Sequence, residues 1–327
     1  MNGDFILGGV ILIITFFVSL FLTKLWIKVA KKAGLVGKDM NKFDKPEVPE
    51  SGGIAVIFSF TLGILLLVFT KTFYLKTATH FLDLMVILVS ILLAGFLGFI
   101  DDVLGWKIGL KQWQKPLLTI PAAIPLMVVN AGCSTMTIPL IGAVDLGILY
   151  PLLIIPIGVV GASNGFNMLA GFNGLEAGMG SIILGTLGIV SFFSGSYWIS
   201  FICFLAVVAL IGFVIFNKYP SKVFPGDSLT YTIGALIAIV AILGNMERIA
   251  VLLFIPYFVE LVFKIKTGFK SECFGVPKKD GTLEPPERIG SLTHVVLKFA
   301  KKEKYVVCTI LLIEILISLV VLWVTFL

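Results

Sequence analysis

Long apolar runs decide what this chain can fold into. Near residues 5–27, 54–70, 81–100, 116–131, 147–163, 177–194, 199–216, 229–244, 249–265 and 305–326 the sequence is almost unbrokenly hydrophobic. Crossing a bilayer takes roughly 20 mostly apolar residues. Backbone polar groups in lipid must also be satisfied internally. Runs this long and uniform read as helices and not as barrel strands. The expectation is an all-α polytopic membrane protein of about ten transmembrane helices, one integral membrane domain over residues 1–327. Composition agrees: 58% of residues are hydrophobic and 13% charged, against about 25% charged in a soluble domain. The first run opens MNGDFIL, with an acid where a cleaved leader would be basic, so it reads as the first span. Cys133, Cys203, Cys273 and Cys308 show no CxxC spacing and read as free thiols.

The basic residues orient the chain. Of its 25 lysines and arginines, all but Lys71, Lys76 and Arg248 fall in one alternating set of loops. The positive-inside rule makes that set cytoplasmic and puts both termini outside. The net charge of +6 thus reflects topology and not nucleic-acid binding. The unusual polar residues share the same side. Cytoplasmic loops carry DMNKFDKPEVPESGG, GFIDDVLGWKIGLKQWQK, GASNGFNMLAGFNGLEAG and FNKYPSKVFPGDSLTY, followed by a long stretch from Lys264 to Lys304. Small hairpins are expected in the external loop near 133–146, which is rich in β-branched residues, and in the cytoplasmic loop near 266–290.

Each polar group has an ordinary reading and a chemical one. Asp101 and Asp102 follow a span directly. They are either a solvated helix end or a pair for a divalent cation or proton transfer. Asp227, in Phe-Pro-Gly-Asp-Ser before the next span, is an N-cap or a ligand. Lys115 is a positive-inside lysine or a phosphate holder, and Glu50 caps a helix or meets a ribose hydroxyl. The third loop interleaves Asn164, Asn167 and Asn173 with glycines and carries no basic residue. Glycines serve close helix packing, whereas amides at a membrane edge suit a hard cation or a nucleobase. No Walker A or GxGxxG motif occurs. With His80 and His294 as the only histidines, HExxH zinc chemistry is excluded.

Four segments together carry a resemblance. Residues 167–178, NMLAGFNGLEAG, are similar to the NxLAGxNGLEAG segment of polyprenyl-phosphate N-acetylhexosamine-1-phosphate transferases, the glycosyltransferase family 4 enzymes. Residues 99–104 resemble their FxDDVL motif, and 218–227 their YPSxVFxGD motif. Asp39–Lys42 with Pro49–Ser51 resembles their DLNK and PES elements. Within the superfamily the likeness is greatest to eukaryotic and archaeal dolichyl-phosphate N-acetylglucosamine-1-phosphotransferases.

The resemblance implies a single phosphoglycosyltransferase domain that moves a sugar-1-phosphate from a UDP-sugar to a membrane polyprenyl or dolichyl phosphate, releasing UMP with Mg²⁺ or Mn²⁺. The expected sugar is N-acetylglucosamine, as the first step of lipid-linked oligosaccharide synthesis. Another UDP-N-acetylhexosamine or a cell-wall polymer is the alternative. Carried over by position, Asn167 and Asp227 ligate the metal. Asp101 and Asp102 hold the pyrophosphate–metal assembly or deprotonate the lipid phosphate, and Lys115 holds a phosphate. Phe224 and Gly171 sandwich uracil, Asn173 meets its edge, and Glu50 and the Met40 backbone meet ribose or uracil. The last cytoplasmic loop departs from the pattern. It has neither the eukaryotic Arg-His-Arg element nor the bacterial histidine cluster, leaving Lys278, Lys279, Arg288 and His294 to supply those contacts. The expected setting is an archaeal cell membrane with a cytoplasmic active site, or the endoplasmic reticulum membrane in a eukaryote. A homodimer is left open. The rivals are an intramembrane prenyltransferase, whose DDxxD spacing fails at Gly105, and a secondary transporter, whose internal repeat is missing.

Overall fold

The computed structural model describes residues 2–108, 113–138 and 142–327. Its helices are α1 (Asn2–Ala33), α2 (Gly53–Phe69), α3 (Phe81–Ile108), α4 (Gln114–Thr119), α5 (Ile124–Val128), α6 (Ile155–Met168) and α7 (Leu175–Phe193). They continue as α8 (Tyr197–Asn217), α9 (Gly226–Leu243), α10 (Glu247–Leu253), α11 (Ile255–Lys266), α12 (Leu292–Leu297) and α13 (Glu303–Phe326). Among the described residues, eight helical segments are long and apolar enough to cross a membrane: 6–33, 53–74, 81–105, 150–168, 175–193, 197–217, 226–243 and 303–326. The chain is an integral, multi-pass membrane protein.

Two of the ten expected spans differ from the simple reading. The run near 116–131 is α4, a short 3₁₀ turn and α5, carrying Pro116, Pro121 and Pro125. Proline removes a backbone donor and clashes with the preceding turn, so the run is jointed. At about 1.5–2 Å per residue it reaches roughly 24 Å, short of the ~30 Å hydrocarbon core. The run near 249–265 divides into α10 and α11 at Phe254, with Pro256 opening the second piece. A hydropathy window averages over such joints and does not see them.

Among the described residues, three antiparallel strand pairs decorate the loops. β1 (Val36–Lys38) pairs with β2 (Glu47–Pro49) between α1 and α2. β3 (Thr135–Ile138) pairs with β4 (Gly142–Asp145), and the turn of that expected hairpin, 139–141, lies outside the described residues. β5 (Val276–Pro277) pairs with β6 (Leu283–Glu284) in the last long loop.

The bundle is built round α9, in which every residue from Ser228 to Ile242 is buried. Its neighbours approach closely because they present glycine there. A methyl group at Gly98 of α3 would overlap the Asp227 carbonyl, and one at Gly234 of α9 would overlap the backbone of α6 at Ala162. Small residues at crossings are how helices associate in lipid, where burying apolar surface gives no gain. The outer helices keep apolar side chains outward, including Phe17 and Phe21 on α1 and Leu316 and Trp323 on α13. This packing brings the C-terminal ends of α3 and α6, the start of α4 and the N-terminal end of α9 together at one end of the bundle.

Candidate active site

A cleft of about 710 Å³ opens among those four helix ends. Asp101 and Asp102 come from the end of α3, where Gly105, at φ 69° and ψ 169°, turns the chain out of the helix. Lys115 comes from α4, Asn167 from the last turn of α6 and Asp227 from the first turn of α9. The loop after α6 adds Gly171, Asn173 and, at the start of α7, Glu176, while Met40, Glu50 and Phe224 close the rim.

The electrostatics centre on Lys115. Its Nζ lies 2.7 Å from Asp101 Oδ2 and 2.8 Å from Asp227 Oδ2. Burial opposes its charge, but Asp227 and then the neighbouring Tyr231 and Asp101 outweigh that, holding the ammonium above its ordinary range. A cation between two carboxylates from separate helices marks where positive charge is needed. Among the described residues no lysine or arginine pairs with Glu50. Burial first, and then the charge of Asp227, push its carboxyl up to about 7.

Asp102 does different work from Asp101. Its Oδ1 accepts the Asp227 amide at 2.7 Å, and its Oδ2 accepts Ser51 Oγ at 2.8 Å and the Ser228 amide at 3.2 Å. It therefore caps α9 from another helix, using amides that have no partner within α9, and ties down the backbone of Asp227. Asn167 Oδ1 accepts Thr230 Oγ1 at 3.0 Å, which fixes its amide one turn along α9 from Asp227.

The donor set is all oxygen: the Asp101 and Asp227 carboxylates and the Asn167 amide. Among the described residues no group of three or more His, Cys, Asp or Glu side chains has metal-binding spacing. Zinc or another thiolate- or imidazole-seeking metal does not fit. A hard cation that takes one or two carboxylates and fills its remaining positions with substrate phosphate and water does fit.

Ten of the residues singled out from the sequence line this one cleft: Met40, Glu50, Asp101, Asp102, Lys115, Asn167, Gly171, Asn173, Phe224 and Asp227. The four basic candidates of the last loop do not. Lys278 pairs with Glu284, and Lys279 lies 5.8 Å from the centre of the Phe43 ring. Arg288 and His294 line an adjoining cavity of about 400 Å³, which shares Met40 and Phe274 with the cleft. His294 is buried there, taking the Gly290 amide on Nδ1 at 3.1 Å with Nε2 3.1 Å from the Phe274 carbonyl. That pattern is a neutral ring donating from Nε2, and burial lowers its pKa accordingly. His80 is elsewhere, stacked 4.2 Å from Trp198.

Several residues in and beside the cleft were not assigned a role from the sequence. Phe274 lies against Gly171, 2.6 Å from where a Cβ would stand, and lines the cleft beside it. Glu176 Oε1 accepts the Gly171 amide at 2.6 Å and shapes that loop. Asn41 clasps two loops at once, donating to the Gly171 carbonyl at 2.9 Å and accepting the Gly275 amide at 3.0 Å. Thr230 was detectable, one helical turn beyond Asp227, whereas Phe274 had no local signal.

Known proteins now bear on this arrangement. The profile of glycosyl transferase family 4 matches residues 84–245. A Saccharolobus solfataricus protein named as a UDP-N-acetylglucosamine–dolichyl-phosphate N-acetylglucosaminephosphotransferase is 40% identical over 303 residues, 92% of this chain and 91% of that one. The chain belongs to glycosyl transferase family 4. The Dictyostelium discoideum protein of the same name is 31% identical over 74% of this chain and 67% of its own length. A phospho-N-acetylmuramoyl-pentapeptide-transferase of a Geobacillus species is 35% identical over 64% and 65%. The family match runs from within α3 to just past α9, so it contains Asp101, Asp102, Lys115, Asn167 and Asp227. The basic candidates of the last loop lie beyond it.

Proposed function

We propose that this chain is a phosphotransferase that moves N-acetylglucosamine-1-phosphate from UDP-N-acetylglucosamine to a membrane polyprenyl or dolichyl phosphate and releases UMP. The observation that carries this reading is the Lys115 bridge between Asp101 and Asp227, set beside Asn167 in a cleft at the ends of membrane-crossing helices. Relatives of the same name that cover most of the chain support it.

The chemistry is a displacement at phosphorus. A phosphate oxygen of the lipid attacks the sugar-bearing phosphorus of the UDP-sugar. The bond from that phosphorus to the bridging oxygen breaks, and the electron pair leaves with UMP. Such transfers depend on in-line positioning and neutralisation of spreading negative charge. Lys115 supplies fixed positive charge where the phosphates meet. A Mg²⁺ or Mn²⁺ held by Asp227 and Asn167 would neutralise the pyrophosphate. Asp101 faces the reacting groups beside Lys115, while Asp102 holds the end of α9 in register. Asn173, Phe224 and Gly171 bind the uracil end, with Glu50 and the Met40 backbone beside it.

We place the cleft on the cytoplasmic face, where the lysine-rich loops lie. The jointed runs near 116–131 and 249–265 complete ten crossings in this reading, the short first one through local thinning of the bilayer. The reaction would open the assembly of a lipid-linked oligosaccharide for protein glycosylation. The test is purified protein with defined prenyl phosphates and a panel of UDP-sugars. UMP release with UDP-N-acetylglucosamine supports the proposal, and preferential use of a different UDP-sugar reassigns the sugar. Flux of substrate into liposomes without turnover would instead indicate a transporter.

A further inference from the structure

Asn173 is held from two directions by acids that come from distant parts of the chain. Its backbone amide donates to Glu303 Oε1 at 2.9 Å, and its side-chain Nδ2 donates to Asp39 Oδ2 at 3.0 Å. Lys42 joins the two acids, with Nζ 3.3 Å from Asp39 Oδ2 and a closer pairing with Glu303. Its ammonium also sits 4.4 Å from the centre of the Tyr219 ring. Asp39, Asn173 and Glu303 are all buried, and Asp39 and Asn173 line the cleft. Glu303 opens α13, where an acid is favoured by the helix dipole, yet its side chain is committed to another element.

The consequence is chemical. A carboxylate only accepts hydrogen bonds, whereas an asparagine amide carries one donor end and one acceptor end. Asp39 therefore takes the NH₂ end of Asn173. The bonds Asn173 makes among the described residues use its backbone amide and Nδ2, and none ends on the carbonyl oxygen Oδ1. A ligand edge meeting Asn173 must then bring an N–H. Uracil has one at ring position 3. Cytosine carries its N–H donors on the exocyclic amine at position 4 and has a bare acceptor nitrogen at position 3, which would face Oδ1 in repulsion.

We infer that Asp39, braced by Lys42 and Glu303, is a specificity-determining positioning residue that locks the Asn173 amide so that the cleft accepts uracil and rejects cytosine. This rests on the reading of the cleft as a UDP-sugar site. Sites built around a fixed hydrogen-bond pattern discriminate strongly, because the wrong partner leaves buried polar groups unpaired. With Asn at position 39 the facing group can itself donate, and the Asn173 amide is free to turn over.

The test compares UMP and CMP binding by isothermal titration calorimetry on the purified full chain, for wild type, Asp39→Asn and Asn173→Ala. Wild type should prefer UMP, and both variants should lower the UMP-to-CMP affinity ratio by about tenfold or more. Loss of packing alone would weaken both nucleotides together and leave the ratio where it was. Asn173→Ala keeps the backbone bond to Glu303, so it remains informative if Asp39→Asn does not fold. A ratio within about twofold of wild type in either folded variant overturns the inference. Wild-type protein that binds neither nucleotide sinks the underlying UDP-sugar reading instead.

Discussion

Asp101 and Asp102 are adjacent in sequence but separate in role. Asp101 bonds to the Lys115 ammonium, while Asp102 gives both oxygens to Ser51 and the first amides of α9. Asp227→Ala removes a charge that faces Lys115 and the cation we propose. We expect kcat to fall by roughly 10²–10⁴-fold with the protein still folded, measured as UMP release alongside circular dichroism. Chelator should abolish turnover in wild type, and Mg²⁺ or Mn²⁺ should restore it. Asp102→Asn should act on rate and stability together. One amide oxygen replaces two carboxylate oxygens, leaving a backbone donor of α9 short of a partner at a cost of about 1–3 kcal/mol, read by denaturation in detergent. Glu50 gives a pH signature. Its carboxyl is raised from 4.5 to about 7, so the stability of its neutral form is complete below about pH 4.5 and drains away as pH climbs through 7. Glu50→Gln should match wild type in acid and exceed it above pH 7, by on the order of 3 kcal/mol.

At the scale of elements, the site depends on how closely α9 can be approached. Gly98 of α3 touches the first turn of α9 at the Asp227 carbonyl, so the contact that packs the bundle also sets the distance between Asp101 and Asp227. Gly98→Leu should cost about 3 kcal/mol and lower kcat with it, because overpacking here pushes two carboxylates apart. The measurement is denaturant unfolding paired with turnover at saturating substrate. The same elements show what was legible beforehand. Asp101, Lys115, Asn167 and Asp227 were detectable because each stands just outside an apolar run, where polar residues are conspicuous. The joints were not, since the runs near 116–131 and 249–265 are mostly apolar in sequence and only the folded chain shows where each one breaks into two helices. Phe274 and Glu303 were also beyond reach. Their partners at Gly171 and Asn173 lie more than 100 residues away, and nothing local distinguishes them.

For the molecule as a whole, the fold is a way of collecting helix ends. Alternation of spans puts the ends of α3 and α6 and the starts of α4 and α9 at one level, and burial of α9 fixes their spacing. Hydropathy and lysine placement were enough to anticipate that level, because both are properties of whole segments. The pairing of particular side chains within it needed three dimensions. The last loop shows this. Its basic residues looked like phosphate contacts, yet Lys278 is matched to Glu284 and His294 is spent on backbone. The central claim is that this convergence performs transfer of a sugar phosphate, breaking a phosphorus–oxygen bond. The most direct measurement incubates purified protein with UDP-N-acetylglucosamine labelled in the sugar and a defined polyprenyl phosphate, and identifies the nucleotide released. The account predicts UMP in step with labelled lipid pyrophosphate, both lost in Asp227→Ala. Release of UDP, which would mean cleavage at the sugar carbon, or no nucleotide at all from folded wild-type protein with Mg²⁺, would contradict it.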